Sequence, residues 1–107
     1  MEFSFSGKLK KLLSSEKAMR RTFGDRRAKA LQLRLGVLAN AKTLADVPVT
    51  PPVRCHQLTG DRKGQFAVVL VDNWRLVFEP DPAVKGTVDL TSVKKIRLLE
   101  IVDYHGK

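Results

Sequence analysis

Two histidines and a single tyrosine among 107 residues frame the chemistry open to this chain. Tyr104 and His105 follow Asp103 at the end of an apolar run, which places all three at the tip of an expected strand. His56 lies just ahead of a basic loop bounded by glycines, Gly60-Asp61-Arg62-Lys63-Gly64. Such a set suits a polymer that carries phosphate. RNA is cut without metal when its 2′-hydroxyl attacks the adjacent phosphate. The reaction needs a proton acceptor at the 2′-oxygen, a donor at the departing 5′-oxygen, and cations beside the transition state. Imidazole exchanges protons near neutral pH, so His56 and His105 are the candidates for that work. Arg75, directly after Trp74, offers a planar guanidinium that matches phosphate in a rigid fork. Asp103 suits orienting an imidazole or a cation.

Each of these residues also has a plainer reading. His56 fits a satisfied histidine in a strand, and His105 a surface residue near the chain end. Arg62-Lys63 fits a solvated turn, Arg75 an edge charge, and the Lys8-Leu9-Lys10-Lys11 run a solubilising surface. Twenty Lys and Arg against eleven Asp and Glu give a net charge of +9, spread along the sequence. That field attracts nucleic acid, anionic membrane or an acidic protein without choosing among them. By themselves these features support a basic nucleic-acid or ribosome binder. The few aromatic residues argue against a stacking platform for single strands.

The remaining composition narrows the class. The length fits one domain, residues 1–107, with one modest core. Cys55 stands alone, which excludes an internal disulfide, and with two histidines it completes no standard zinc pattern. It reads as a small buried strand residue rather than a nucleophile. No metal or other cofactor is expected. No apolar stretch has the length of a membrane span, and Met-Glu-Phe-Ser-Phe does not begin a signal peptide. A cytoplasmic protein with no membrane partner is the expectation.

The elements that would position these residues change character once, from helical to stranded. Ser14 or Ser15 caps a basic helix that runs to about Phe23 and ends at Gly24. Asp25 caps a second helix to about Ala39, with Ala28, Leu31, Leu35 and Leu38 on one face and Arg26, Lys29 and Arg34 on the other. Asn40 offers a cap for one more turn containing Leu44, which cannot pass Pro48. Residues 47–52 form an extended connector, because proline removes donors and restricts its predecessor. Strands are expected at 53–58, 65–71, 74–79 and 93–102, with a tight turn at Asp72-Asn73. The sum is an α+β fold: two N-terminal helices on a small antiparallel sheet of about four strands.

Three segments together carry a resemblance. Arg54-Cys55-His56-Gln57-Leu58-Thr59-Gly60-Asp61-Arg62-Lys63-Gly64-Gln65, then Asn73-Trp74-Arg75-Leu76-Val77-Phe78, then Asp103-Tyr104-His105, resemble the HigB-type toxins of the RelE/ParE superfamily. These are also described as plasmid-maintenance killer proteins. The likeness covers nearly the whole chain, including the basic helical hairpin, Leu44, Pro48 and Pro51-Pro52. It implies a RelE-like, microbial-RNase-like fold and a ribosome-dependent endoribonuclease that cuts mRNA in the decoding site. It implies as partners the ribosome and mRNA, a cognate antitoxin, and operator DNA bound through the toxin–antitoxin complex. Carried over by position, His56, Arg75, Asp103, Tyr104 and His105 match the catalytic residues. His105 leads in proton transfer, His56 assists, and Arg75 stabilises charge on the phosphate. Tyr104 stacks on or bonds a distorted nucleotide, or simply packs. Arg62 and Lys63 would hold the substrate backbone, with Trp74 beside them.

Two departures stand out. Several members carry a lysine directly before the loop glycine, where this chain has Thr59; Lys63 is one candidate to take up that charge. The stretch from Pro82 to Leu90 also enlarges the last hairpin. Thr59 favours a rival reading, a non-catalytic member that binds an antitoxin or nucleic acid.

Overall fold

The computed structural model describes residues 1–104, so His105 lies outside the described residues. One strand precedes three helices and four further strands: β1 (Glu2–Phe5), α1 (Gly7–Leu12), α2 (Glu16–Phe23), α3 (Asp25–Asn40), β2 (His56–Gln57), β3 (Phe66–Val69), β4 (Trp74–Pro80) and β5 (Lys95–Asp103). Short 3-10 turns occupy 44–46, 60–62 and 90–92. The fold is the expected α+β type, with the N-terminal helices packed on a largely antiparallel sheet.

Local chemistry explains the helical half. Ser15 caps α2 by accepting the Ala18 N–H at 3.0 Å. Gly24, at φ 85°, joins α2 to α3 in a conformation that costs a side-chain-bearing residue more. The additional short helix α1 buries Leu9 and leaves its three lysines at the surface. In α3, Ala28, Leu31 and Leu38 are buried, as their spacing requires.

Arg34 is a correction. Expected on the outer face with Arg26 and Lys29, it is only 8% exposed. Position 34 falls three residues after Leu31 and four before Leu38, so helix geometry sets it on the apolar stripe. Burying a guanidinium is costly unless its N–H groups find acceptors. Here Nε donates to the Val69 carbonyl at 2.6 Å, and Nη2 donates to the carbonyls of Pro52 at 3.4 Å and Leu70 at 3.5 Å.

The sheet has five strands in the order β1-β5-β4-β3-β2, one more than expected. The added strand is β1, which lies parallel to β5 with Phe3 opposite Ile96 and Phe5 opposite Leu98. The strand expected at 53–58 shortens to His56–Gln57, because Arg54 takes φ 48° and interrupts the extended run. At the β3–β4 turn, Asp72 alone adopts positive φ, and the Trp74 N–H reaches the Val71 carbonyl at 3.1 Å. Thr43, not Asn40, caps the turn that contains Leu44.

One irregularity in β5 sorts its side chains. Phe78 pairs with Leu98 and Val77 with Glu100, so Leu99 is an extra residue, a β-bulge. Ile96 and Leu98 face the core, and plain alternation would send Glu100 there too. The bulge instead turns Glu100 outward and lets Ile101 pack on the core. Ser6 secures it, its N–H donating to the Leu98 carbonyl at 2.9 Å and its Oγ to the Leu99 carbonyl at 2.7 Å. Leu9, Met19, Leu31 and Leu38 then close against Phe66, Val68, Leu76, Phe78, Ile96 and Leu98 in one cluster. Among the described residues, no helix is long and apolar enough to cross a membrane.

Arg34 yields the first test. Arg34→Ala strands buried carbonyls at the end of β3, and should lower unfolding stability by about 2–4 kcal/mol in urea titrations. A loss below about 0.5 kcal/mol, the range of ordinary surface substitutions, would show that the buried bonds carry no net stability.

Candidate functional site

The sheet register builds one row of side chains on the face away from the helices. His56 pairs with Ala67, Ala67 with Val77, and Val77 with Glu100. Directly paired residues point to the same side, so these four share a face. The neighbouring row holds Val69, Arg75 and Val102. His56 and Arg75 therefore share this face, on strands separated laterally by about 10 Å. A cleft of about 310 Å3 opens between them, lined by Val49, Pro51, Arg54, Cys55, His56, Val69 and Arg75. Among the described residues, no carboxylate is in that lining. Two guanidiniums and an imidazole at one cleft make a setting for an anion.

The connector before β2 orients His56. The Arg54 N–H bonds the Thr50 carbonyl and the Cys55 N–H bonds the Pro48 carbonyl, each at 3.0 Å. Held between these bonds, Arg54 turns its own carbonyl to within 2.8 Å of His56 Nδ1. A carbonyl only accepts, so Nδ1 carries the proton. In neutral His56 the lone pair is then on Nε2, the state of a general base.

Arg75 is half-buried, and its Nη1 donates to the Trp74 carbonyl at 3.0 Å and the Asp72 carbonyl at 3.4 Å. Its guanidinium lies 5.7 Å from the centre of the Tyr104 ring. That contact limits where the cation can point. The Tyr104 N–H bonds the Asn73 carbonyl at 2.9 Å, which ties the end of β5 to the hairpin turn.

Several other candidates lie elsewhere. Trp74 faces the helices, edge-on to Phe23 at 6.3 Å and under the Arg27 guanidinium at 4.8 Å. Asp103 pairs with Trp74, so the register puts it on that same side, opposite Arg75. Arg62 forms an ion pair with Glu100 and donates to Gln65 Oε1 at 2.9 Å. Lys63 is exposed just past the 3-10 turn, and neither it nor Thr59 lines the cleft. The structure thus brings His56, Arg75 and Tyr104 toward one end of this face.

Sequence reasoning passed over Arg54. A signal for it exists in the sequence, since residues 54 and 56 of an extended run point to one side. Cys55 is 8% exposed, and burial pushes its thiol up to about 11. At neutral pH it remains a protonated thiol, the inert small residue expected.

Neither a protein-family model nor a curated protein sequence matches the chain significantly. Solved structures do. YafQ from E. coli superposes with a TM-score of 0.60 at 16% identity, over 96% of this chain and 92% of its own. The DinJ-YafQ complex from E. coli gives 0.58 at 16% identity, over 96% of this chain and 92% of the matched chain. A YoeB/ParE toxin from Agrobacterium tumefaciens gives 0.58 at 12% identity, over 98% of this chain and all of its own. At these identities the likeness is one of fold. The chain shares the fold of these YafQ and YoeB/ParE toxin structures.

Two measurements check the site. Folded protein should leave Cys55 unmodified by an aromatic disulfide reagent at neutral pH and yield one thiol in denaturant; rapid labelling of folded protein contradicts the buried thiol. Nitrogen-15 shifts of neutral His56 should report protonation at Nδ1, and an Nε2–H tautomer would contradict its bond to the Arg54 carbonyl.

Proposed function

We propose that this protein is a HigB-type toxin of a type II toxin–antitoxin system, acting as a ribosome-dependent endoribonuclease. The observation that carries the reading is the carboxylate-free cleft holding Arg75 and a His56 that donates from Nδ1, set in a RelE/ParE-type fold. The 2′-oxygen attacks the adjacent phosphorus, the bond to the 5′-oxygen breaks, and the products end in a 2′,3′-cyclic phosphate and a 5′-hydroxyl. One proton leaves the 2′-oxygen and one is delivered to the 5′-oxygen. His56 and His105 are assigned to this exchange, with His105 the leading group. Arg75 stabilises charge on the phosphate, and Tyr104 holds Arg75 or meets a nucleotide.

So small a set of groups leaves substrate positioning to the ribosome, where holding the reacting atoms in line contributes much of the rate. The partners in this reading are the ribosome and mRNA, a cognate antitoxin, and operator DNA reached through the toxin–antitoxin complex. The location is the cytoplasm. YafQ, a protein of like fold, is seen in a complex with DinJ, which supports the antitoxin as a partner. The second reading, a non-catalytic binder, rests on Thr59 and on the engagement of Arg62 by Glu100.

Mapping the 5′ ends of mRNA fragments in a reconstituted translation reaction, with and without ribosomes, separates the two. Wild type should cut within A-site codons only when ribosomes are present. Arg75→Ala should reduce the rate by about 10²–10³-fold, the usual loss for one transition-state donor, and His105→Ala should lose most cleavage. Absence of cleavage by folded wild type would leave the binder as the better account.

A further inference from the structure

The geometry points to Arg54 as a phosphate-binding residue of the cleft, working beside Arg75, and as the positioning residue for His56. The assignment rests on the nuclease reading for its substrate, a ribonucleotide phosphate. Four observations carry it.

First, Arg54, His56 and Arg75 line the same cleft, and among the described residues no acidic side chain lines it with them. Like charges gathered without a counterion favour an anion in the space between them. Second, the basic loop supplies little to this place. Arg62 is taken up by Glu100 and Gln65, while Thr59 and Lys63 are outside the lining. Third, the backbone gives no reason for arginine at this position. At φ 48° the residue is in the left-handed region, which costs a non-glycine residue about 1 kcal/mol or more. Glycine, or an asparagine, would meet the same turn more cheaply. Fourth, the guanidinium has no carboxylate partner among the described residues, in contrast with Arg20, Arg26 and Arg62. It is exposed at the cleft as a fork of N–H donors.

The two roles follow from one conformation. The left-handed turn aims the Arg54 carbonyl at His56 Nδ1 and leaves its side chain at the cleft. The carbonyl sets which ring nitrogen bears the proton; the guanidinium meets the phosphate that the other nitrogen faces. Arg54 therefore couples binding of the anion to orientation of the imidazole.

The test uses the full chain and adenosine 3′-monophosphate, followed through the ring resonances of His56 and by titration calorimetry. Wild type should bind and shift the His56 signals. Arg54→Gln should weaken binding by about tenfold or more, as expected for losing a charge-assisted contact, and Arg54→Lys should retain part of it. Lys10→Gln should stay within about twofold, as an exposed charge on α1 outside the cleft lining. Arg54→Gly separates the roles: binding falls as in Arg54→Gln, while the melting temperature rises and His56 keeps its proton on Nδ1. Equal binding by wild type and folded Arg54→Gln overturns the assignment, and so does a loss in Lys10→Gln as large as that of Arg54→Gln. No binding by wild type overturns it as well. Nucleotide binding that depends on Arg54, in a protein that cuts no mRNA on ribosomes, sustains the assignment while removing the nuclease reading.

Discussion

A guanidinium buried in the middle of α3 holds together the parts that make the cleft. Arg34 bonds the carbonyls of Val69 and Leu70 at the end of β3 and that of Pro52 in the connector. The connector would otherwise be a proline-rich stretch with few donors, joined to the sheet mainly by the Val69 N–H bond to Val53. A lysine would have to reach all three from one strongly hydrated nitrogen, whereas Arg34 divides them between Nε and Nη2. A hydrocarbon would fill the volume and leave the carbonyls unpaired. From this anchor the path of residues 50–55 follows: Arg54 in its turn, Cys55 inward, His56 at the sheet edge.

The bulge at Leu99 does comparable work on the other side of the cleft's face. By advancing β5 one residue it delivers Glu100 to the row that begins at His56. There Glu100 engages Arg62. The loop that looks most suited to phosphate thus has one of its two cations bound to a carboxylate, and the cleft lies at the opposite end of the row. An exposed ion pair contributes little stability. Its larger effect is to fix the loop's charge at a distance from His56.

Much of this was legible in the sequence, and the exceptions have distinct causes. Helix caps at Ser15 and Gly24, the apolar face of α3 and the turn at Asp72-Asn73 are local signals that tertiary structure left intact. Arg34 departs from its expected face because helical spacing outweighs residue type: Leu31 and Leu38 frame it on the buried stripe. The strand β1 was missed because four residues carry little pattern, and its partner lies at the far end of the chain. The reversal at Glu100 could not be read at all, since a bulge depends on the pairing strand and on Ser6. Of the site, the positions of His56 and Arg75 on strands were legible, while their sharing of one face needed the register of β2, β3 and β4. The turning of Trp74 toward Phe23 and Arg27 needed the helices in place.

The charge of the chain has a local structure that its sum conceals. Arg20, Arg26 and Arg62 each meet a carboxylate, Arg34 is spent on carbonyls, and Arg27 lies over Trp74. These cations still contribute to the long-range field that brings a polyanion near. They do not define where its phosphate would rest. Within the cleft no described residue supplies a carboxylate; Arg54 is exposed there, and Arg75 is half-buried with Nη1 bonded to the carbonyls of Trp74 and Asp72. A bound phosphate would replace water around charges already brought together, so the cost of assembling them is met in folding rather than in the reaction. That is electrostatic preorganisation, and it depends here on a backbone turn held by buried hydrogen bonds more than on the number of basic residues.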